Sequence, residues 1–395
     1  MEVRRFGRLD FEVSALGFGC MRLPTRDGDG SLIDEPEATG MVRYAIDHGV
    51  NYVDTAYPYH GGESERFLGR VLQDGYREQV RLATKMPSWE IETRADFTKY
   101  LDIQLERLQT VHVDFYLLHA LKREWWHKLR GLGVLDWAEG AIADGRIGHL
   151  GFSFHDEYEV FEEIVDGYDR WALCQIQYNY MDVENQAGVR GLQYAASRGL
   201  AVVIMEPLLG GKLVAPPRSI AKIWEGAGNG RTPADWALQW LWSQPEVSVV
   251  LSGMSTMQQV EENVASAVAS GVGTLTAQEA ALFDRVRARY QDLSPIPCTG
   301  CGYCMPCPNG VDIPGNLGTY NEGLMYDKPE ASRGQYGWWH YAFTEQGILD
   351  HDPRAALCVQ CGECEEKCPQ RIPISAWMPV IHEVLGEGRA YVRSL

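Results

Sequence analysis

Short apolar runs alternate with amphipathic stretches over about the first 285 residues of the chain. Eight of the runs are rich in Val, Ile, Leu and aromatic residues, which is typical of strands buried on both faces. In chain order they are SALGFG, NYVDTA, VRLATKM, VDFYLLHA, IGHLGFS, LCQIQYN, AVVIMEP and VSVVLSG. Between them, stretches such as residues 36–49 and 96–109 carry apolar residues three and four apart, which predicts amphipathic helices.

The succession of eight strand–helix units predicts a parallel sheet. We favour a closed (β/α)8 barrel, which takes about 250 residues. The alternative is an open doubly wound sheet. It is disfavoured because the turn after the first strand, GFGCMRLPTRDGDG, does not lead through a G-x-G-x-x-G pattern into a helix. Residues 3–14 predict a small hairpin around Gly7 and Arg8 that covers the floor of the barrel.

The cysteines divide the chain into two regions. Of the ten, Cys20 and Cys174 stand alone, and the other eight lie within residues 298–368. A pair of prolines marks the transition, and a chain of 395 residues has room for two or three domains of about 150 residues each. We predict a barrel domain over residues 1–288 and a mostly α-helical metal-binding domain over residues 289–395.

The clustered cysteines form two runs with the spacing of iron–sulfur ligands. The second run reads C-x2-C-x2-C-x3-C-P, the bacterial ferredoxin pattern, in which three cysteines bind one 4Fe–4S cluster and the fourth binds the other. The first run departs from this pattern, since only two residues separate Cys304 from Cys307. Structural zinc is the alternative, but zinc gives no reason for a third C-x2 step or for the trailing C-P. We predict a ferredoxin-like domain with two clusters, one bound by Cys298, Cys301, Cys304 and Cys368 and the other by Cys307, Cys358, Cys361 and Cys364.

Charge narrows the choice of partners. Asp and Glu number 54 against 36 Lys and Arg, a net charge of −18. This argues against nucleic acid or an anionic membrane as the main partner, because such surfaces attract clustered Lys and Arg. No apolar run approaches the roughly 18 residues of a membrane span, and the N-terminal residues lack the apolar core of a secretory signal. We therefore expect the protein to be located in the cytoplasm.

Polar residues stand at the carboxyl ends of three successive predicted strands, the edge where barrel enzymes carry their active sites. Asp54 ends the second strand, Lys85 the third and His119 the fourth. Tyr59 follows Asp54 by five residues and lies on the next loop. Buried polar groups cost free energy unless they are paired. An internal Asp–Lys pair with an unrelated Tyr and His is the alternative, but four compatible groups at consecutive strand ends favour a reaction site.

These four side chains suit carbonyl reduction. A hydride that reaches a carbonyl carbon leaves charge on the oxygen, which then needs a proton donor. We predict that Tyr59 is this donor and that the ammonium of Lys85 lowers its pKa. Asp54 would hold Lys85 in place and charged. His119 would orient the substrate oxygen with a hydrogen bond.

The motif D-T-A-x-x-Y at Asp54 and Tyr59, followed by Lys85 and His119, resembles that of the aldo-keto reductases, and the cysteine tail is similar to that of their ferredoxin-tailed branch. The resemblance covers the whole chain and implies the four roles above, with Tyr59 as general acid. It also implies a nicotinamide cofactor, NAD(H) or NADP(H). The positions that it assigns to this cofactor are Ser153, Gln175, Met205, Gly253, Gln259, Glu262 and Asn263.

Within this set, the resemblance gives each position a part of the dinucleotide. Ser153 and Gln175 match the residues that hold the nicotinamide carboxamide, and Glu262 and Asn263 match the pair that faces adenine. Met205 stands where an aromatic residue usually stacks on the nicotinamide ring.

Two further departures from the family pattern follow site residues directly. His60 stands where Gly usually follows the catalytic tyrosine, and Phe154 stands where Asn usually follows the serine.

The family's clamp for the 2′-phosphate of NADP is also altered. Its positions read Gly253, Met254 and Gln259, none of which is charged. Because a phosphate dianion is bound best by cations, we predict that NAD(H) is favoured over NADP(H). A preference for NADP(H) would require a cation from another segment, such as Lys212 or Arg218.

Three functions are compatible with these features. The leading hypothesis is a nicotinamide-linked oxidoreductase that interconverts a carbonyl and an alcohol on a small organic molecule, with the clusters serving electron transfer or structure. A cluster moves one electron whereas nicotinamide moves a hydride. The second hypothesis is therefore a reductase or dehydratase, served by a ferredoxin or flavodoxin, that uses a flavin or direct electron transfer to substrate. The third is a non-catalytic electron-transfer subunit, against which the intact four-residue set argues.

Overall fold

The structure is a computed structural model that describes residues 1–27, 29–344 and 349–395. The described residues form ten strands: β1 Val3–Arg5, β2 Glu12–Ser14, β3 Leu16–Gly19, β4 Tyr52–Asp54, β5 Arg81–Met86, β6 Val113–Leu121, β7 Ile147–Phe154, β8 Leu173–Gln177, β9 Ala201–Met205 and β10 Val247–Ser252. Strands β3 to β10 follow one another around a closed barrel, and β10 pairs with β3. All eight pairings are parallel. The predicted barrel is confirmed, and the open sheet is excluded.

Helices connect and flank the strands. In chain order they are α1 Glu35–Asp47, α2 Glu63–Val71, α3 Arg94–Arg107, α4 Arg123–Gly131, α5 Val134–Ala143, α6 Tyr158–Asp166, α7 Gly188–Ser197, α8 Arg218–Glu225, α9 Pro233–Trp242, α10 Met257–Val268, α11 Ala277–Leu293, α12 Ile313–Met325, α13 Pro329–Thr344, α14 Glu363–Glu366 and α15 Ile374–Leu385. Local signals explain several ends. Thr93 and Asp96 form a capping box at the start of α3. Pro36 lies in the first turn of α1. Proline has no backbone N–H, but an N–H in the first turn would have no partner within the helix in any case.

The N-terminal hairpin closes the floor of the barrel as predicted. Strands β1 and β2 pair antiparallel. The buried ring of Phe6, in the turn between them, lies 5.9 Å from Tyr52 and 4.7 Å from Phe115, measured between ring centroids. Gly7 has a φ of 56°, and a Cβ there would come within 2.4 Å of the Ala201 backbone nitrogen. Only glycine fits this close approach without strain.

The described chain divides into two compact units, Met1–Gly210 with Ala234–Ala280, and Gly211–Pro233 with Ala281–Leu395. In the first unit, one apolar core lies between strands and helices, and a smaller one fills the barrel interior. The second unit has its own core, and six of the eight clustered cysteines pack at its edge. Helix α11 runs through residue 288, so the predicted boundary lies within a helix and stays a prediction.

Among the described residues, no helix combines the length and the apolar character that crossing a membrane would require.

Candidate functional site

The predicted site residues of the barrel gather at the carboxyl ends of its strands. Asp54 is the last residue of β4, Lys85 the last but one of β5, and Met205 the last of β9. The others lie in or directly after the neighbouring strands, at His119, Ser153, Gln175 and Gly253. Parallel strands bring these ends to one face of the barrel, so residues up to 199 positions apart in sequence, Asp54 and Gly253, line one mouth.

Asp54, Lys85 and Tyr59 are in direct contact. The Lys85 ammonium donates hydrogen bonds to Asp54 Oδ1 at 2.5 Å and to the Thr55 carbonyl at 2.8 Å. Its Nζ lies 3.4 Å from the Tyr59 hydroxyl and 4.9 Å from the centre of that ring. Lys85 is fully buried and Asp54 is 2% exposed. The predicted pairing of Asp54 with Lys85 is therefore present, and it places a cation beside the phenol.

Burial controls the charge states of this group. It works against the Lys85 ammonium, but the Asp54 carboxylate and Tyr59 together outweigh it, so the pKa of Lys85 lies above its ordinary value. Burial also raises the pKa of Tyr59, and Lys85 only partly offsets the rise. Lys85 thus lowers the pKa of Tyr59 as predicted, but burial raises it by more, so the pKa lies above its ordinary value. Desolvating the phenolate costs more than an ammonium already paired with Asp54 returns.

His119 lies beside Tyr59 and is held neutral. The two ring centroids are 6.1 Å apart and nearly perpendicular. Burial, with the charge of Lys85 and the neighbouring His155, places the pKa of His119 well below its usual value. Its Nδ1 is buried and has no hydrogen-bond partner among the described residues. A neutral imidazole has one N–H donor and one acceptor nitrogen, so His119 keeps hydrogen-bonding capacity for a bound molecule.

Two tryptophans that were not predicted as site residues extend the mouth beyond His119: Trp89 lies next to His119, and Trp125 lies next to Trp89. Trp89 follows β5 in a short turn, and its ring lies 5.1 Å from that of His119 and 6.0 Å from that of Trp125 in α4. Both rings are only partly buried. They form an aromatic wall at the mouth. No local motif marks them, because tryptophans are common in the core of this chain and only the barrel geometry separates these two from the rest.

A buried polar network supports Lys85 from behind. Glu65 is fully buried, and its carboxylate accepts hydrogen bonds from Thr84 at 2.7 Å and Gln104 at 2.6 Å. The same carboxylate forms an ion pair with Arg107 at 3.1 Å. Gln104 also donates to the Lys85 carbonyl at 3.0 Å. Every one of these bonds fixes the backbone or the neighbours of Lys85. The network therefore restricts the position from which Lys85 reaches Tyr59.

Ser153, Gln175 and Met205 form a second group in the mouth. Ser153 Oγ accepts a hydrogen bond from the Ala120 amide at 2.7 Å, which leaves its hydroxyl hydrogen free to donate. The Gln175 amide nitrogen lies 3.6 Å from the Met205 sulfur. Gln175 Oε1 is buried and has no partner among the described residues. A free donor and a free acceptor thus stand on adjacent strands, paired in register at Ser153 and Gln175.

The loop after β10 and helix α10 carry the remaining predicted cofactor residues. Gly253 is exposed, whereas Asn263 is buried and donates to Ser252 at 3.0 Å. The Gln259 side chain accepts from the Ser255 amide at 2.8 Å, and Glu262 accepts from Gln258 at 2.7 Å. Thr256 caps the helix by accepting from the Gln259 amide. Gln259 thus braces its own loop.

The structure also explains two of the departures from the family pattern. His60 has a left-handed backbone with φ of 54°, the conformation that glycine adopts most readily. Its ring Nδ1 lies 2.6 Å from the Gly30 carbonyl, a contact that helps to hold this conformation. Phe154 is fully buried and packs on Phe161 with ring centroids 5.1 Å apart. It belongs to the core, so no polar side chain follows Ser153 in the mouth.

In the second unit, the eight clustered cysteines surround two cavities. One is lined by Cys298, Cys301, Cys304 and Cys368, the set predicted for one cluster. The other is lined by Cys307, Cys358, Cys361 and Cys364, the other predicted set, together with Cys304. Within the described residues, no three His, Cys, Asp or Glu side chains are grouped as a site for a single ion requires. Each cavity is therefore lined by the four thiols that a cubane cluster needs.

Family comparisons cover most of the chain. Residues 15–288 match the family described as Aldo/keto reductase family, and residues 297–372 match a 4Fe-4S dicluster domain. Among curated proteins, the L-galactose dehydrogenase of Arabidopsis thaliana is 29% identical over 296 residues, 67% of this chain and 88% of that protein. The 6-dehydroglucose reductase of Novosphingobium aromaticivorans is 26% identical, over 66% of this chain and 88% of that protein.

A solved structure is similar as well. It is the holo form of an aldo-keto reductase from Bacillus halodurans, which superimposes with a TM-score of 0.60 at 27% identity. The match covers 72% of this chain and 96% of that one.

Proposed function

The chain belongs to the aldo/keto reductase family and is an oxidoreductase of that type with a C-terminal 4Fe–4S domain. We propose that the barrel interconverts a carbonyl and an alcohol on a small organic molecule with NAD(H) or NADP(H), NAD(H) being favoured. One observation carries the proposal. The Tyr59 hydroxyl lies 3.4 Å from a buried, paired Lys85 at the mouth of the barrel, beside the neutral His119.

Each of the four residues has a role that follows from its contacts. Tyr59 donates a proton to the carbonyl oxygen in reduction and takes it back in oxidation. Lys85 stabilises the phenolate that remains, and Asp54 keeps Lys85 charged and oriented through their 2.5 Å hydrogen bond. His119 donates a hydrogen bond to the same oxygen and so selects the orientation of the substrate. Tyr59 stays protonated above the pH at which a free phenol ionises, because burial raises its pKa.

The cofactor residues suit a nicotinamide. When bound, a nicotinamide supplies or accepts the hydride. The free Gln175 Oε1 can accept a hydrogen bond from the carboxamide nitrogen, and the Ser153 hydroxyl can donate to its oxygen. Met205 offers a polarisable thioether to the ring in place of the usual aromatic. Asn263 and Glu262, on the helix after the last strand, are the candidates for the adenine end.

We further propose that the substrate is a sugar or a compound of similar size and polarity. Trp89, next to His119, and Trp125, next to Trp89, are only partly buried, and aromatic faces of this kind pack against the apolar side of a sugar ring. The activities named for two relatives, an L-galactose dehydrogenase and a 6-dehydroglucose reductase, point to the same class of substrate.

For the tail, we propose two 4Fe–4S clusters, bound by the two sets of four cysteines that line the two cavities. A cluster supplies one-electron transfer when bound. The exposed Cys301 and Cys361 stand at the outer edge of each set, where a ferredoxin or flavodoxin could approach. We expect this chemistry in the cytoplasm, where thiols stay reduced.

Replacement of Tyr59 by Phe tests the barrel chemistry. We expect kcat for a carbonyl substrate to fall by about 10²–10⁴-fold, while the Kd of the dinucleotide stays within about twofold. The reason is that the phenolic proton is needed in the transition state and the ring is kept. Wild-type kcat in this variant would exclude Tyr59 as the acid. Val111→Ala, a change at a surface residue that is 85% exposed, serves as the matched control.

An anaerobic spectrum tests the cofactors. We expect about eight iron atoms per chain with acid-labile sulfide, which is two 4Fe–4S clusters, and a spectral change on addition of NADH. Flavin absorbance, with reduction by a ferredoxin and not by NADH, would instead support the flavin-linked alternative. Zinc without sulfide would contradict the cluster assignment.

A further inference from the structure

Arg22 lies across the loop that follows the last barrel strand. It ends the short turn after β3, and its carbonyl accepts a hydrogen bond from the Ser255 hydroxyl at 2.8 Å. A Cβ built on Gly253 would lie 3.3 Å from each of Cβ, Cγ and Cδ of Arg22. This is closer than ordinary van der Waals contact, so the glycine provides the room in which the arginine stem lies. No sequence motif marks Arg22, because 231 positions separate it from Gly253.

The guanidinium of Arg22 reaches from this loop toward the one that follows β9. Its Nη2 lies 3.7 Å from the point that a Cβ on Gly210 would occupy. Loops after the seventh and eighth strands of (β/α)8 barrels frequently form a phosphate site. Arg22 is exposed, and the described residues give its guanidinium neither a hydrogen bond nor an ion pair. A cation with free donors therefore stands between the two loops.

We propose that Arg22 binds the diphosphate of the dinucleotide and determines its affinity; this inference rests on the proposed nicotinamide function. A guanidinium can donate two parallel hydrogen bonds to phosphate oxygens, which is the strongest arrangement available to an uncoordinated anion. The diphosphate is common to NAD and NADP, so Arg22 strengthens both. The choice between them stays with the uncharged positions at Met254 and Gln259.

Lys212, the cation that the sequence suggested for this region, has different surroundings. Lys212 belongs to the second compact unit and pairs there with Glu322, with Nζ 2.6 Å from the carboxylate.

Glu206 is the acidic residue near Arg22. Its Oε2 lies 3.6 Å from the same Gly210 point as Arg22 Nη2. A carboxylate near the guanidinium repels a phosphate bound there, so its removal should favour the ligand.

Equilibrium binding tests the assignment without turnover. The Kd of NADH, NADPH and ADP-ribose is measured by calorimetry on the anaerobic, cluster-loaded protein. We expect Arg22→Met to weaken all three by about tenfold, as loss of a charge-assisted contact does. Arg26→Met is the matched control, because Arg26 lies in the same loop and pairs with Asp34 at 3.2 Å. It should leave all three Kd values unchanged, and Glu206→Gln should lower them.

A double-mutant cycle links the arginine to its glycine. Gly253→Ala should displace the Arg22 stem and weaken binding in the wild-type background, but should have little further effect in the Arg22→Met background. Additive losses would show that Gly253 acts independently and would contradict the geometry proposed here.

The remaining outcomes separate this inference from the proposed function. Unchanged affinities in Arg22→Met overturn the role of Arg22 and leave the nicotinamide function standing. A loss confined to NADPH also overturns it, because Arg22 would then meet the 2′-phosphate. If the wild-type protein binds none of the three probes, both the inference and the nicotinamide function are wrong.

Discussion

The polar groups of the barrel mouth and the cysteines of the tail are organised in opposite ways. In the barrel, Lys85 is fully buried, Asp54 is 2% exposed, and each is the other's partner. In the tail, all eight clustered cysteines are intermediate or exposed. The barrel holds its reactive groups with its own hydrogen bonds, whereas the tail presents thiols around two cavities. The Asp54–Lys85 pair is formed without a ligand, whereas the thiols of the tail face cavities that we propose the clusters fill.

This difference follows from how much apolar core surrounds each site. The barrel groups stand on strands that lie between two apolar clusters. The tail has one smaller core, and its cysteines pack at the edge of that core. Metal ligation contributes folding free energy directly when a preformed site is absent from the unfolded chain. We therefore expect the barrel to depend on buried pairs and the tail to depend on its clusters.

The largest effect should come from breaking the buried pair of the barrel. Lys85→Met leaves the Asp54 carboxylate buried and unpaired, which costs about 3–5 kcal/mol when one partner of such a pair is removed. We expect the free energy of unfolding of the barrel to fall by that amount and carbonyl reduction to be lost. Urea titration followed by tryptophan fluorescence measures the first, and the tail should keep its iron.

A double variant separates the charge from the packing. Asp54→Asn with Lys85→Met removes both charges, so it should be more stable than Lys85→Met alone while remaining inactive. Equal or lower stability of the double variant would mean that shape, and not the unpaired carboxylate, accounts for the loss.

A substitution in the tail should affect the tail and leave the barrel unchanged, the reverse of what we expect for Lys85→Met. The cavity that Cys307 lines is that of the second run, although Cys307 belongs to the first run in sequence. Cys307→Ser should therefore lower the iron content from about eight to about four atoms and produce the same electron paramagnetic resonance spectrum as Cys364→Ser. Hydrogen exchange should rise in the tail and stay unchanged in the barrel.

Controls for this prediction come from both units. Cys174→Ala removes a thiol that is fully buried in the barrel and should retain all the iron. Cys298→Ser should remove the other cluster. If Cys307→Ser instead matches Cys298→Ser, the fourth ligands do not cross between the two runs.

The comparison also shows what the sequence can predict. Short β-rich runs and cysteine spacing are local signals, so the strands, the barrel and both cysteine runs could be predicted. Asp54, Lys85 and His119 could be found because strand ends in a parallel barrel share one face. Trp89 and Arg22 could not, because their placement depends on loop conformations without a readable code. That burial outweighs the lowering of the Tyr59 pKa by Lys85 could not be predicted, because a motif does not report the depth of burial.

The smallest predicted effect concerns acid, and it arises from His119 in the barrel mouth. Burial, with the charges of Lys85 and His155, places the pKa of His119 well below the value of about 6.5 that it has in the unfolded chain. Below about pH 6.5 His119 is protonated in the unfolded chain but stays neutral in the folded barrel. The free energy of unfolding is therefore highest above that pH and falls as the pH decreases toward the pKa of the folded state. The slope of the free energy of unfolding against pH is at most about 1.4 kcal/mol per pH unit for one group.

Urea titrations at pH 7.5, 6.5 and 5.5 measure this loss. The free energy of unfolding should fall more steeply for the wild type than for His119→Asn, by about 1 kcal/mol between pH 6.5 and pH 5.5. His127→Asn, at an exposed residue paired with Glu163, is the control and should keep the wild-type slope. Parallel curves for the wild type and His119→Asn would mean that His119 takes up protons equally in both states, and the neutral imidazole assigned to the site would then be wrong.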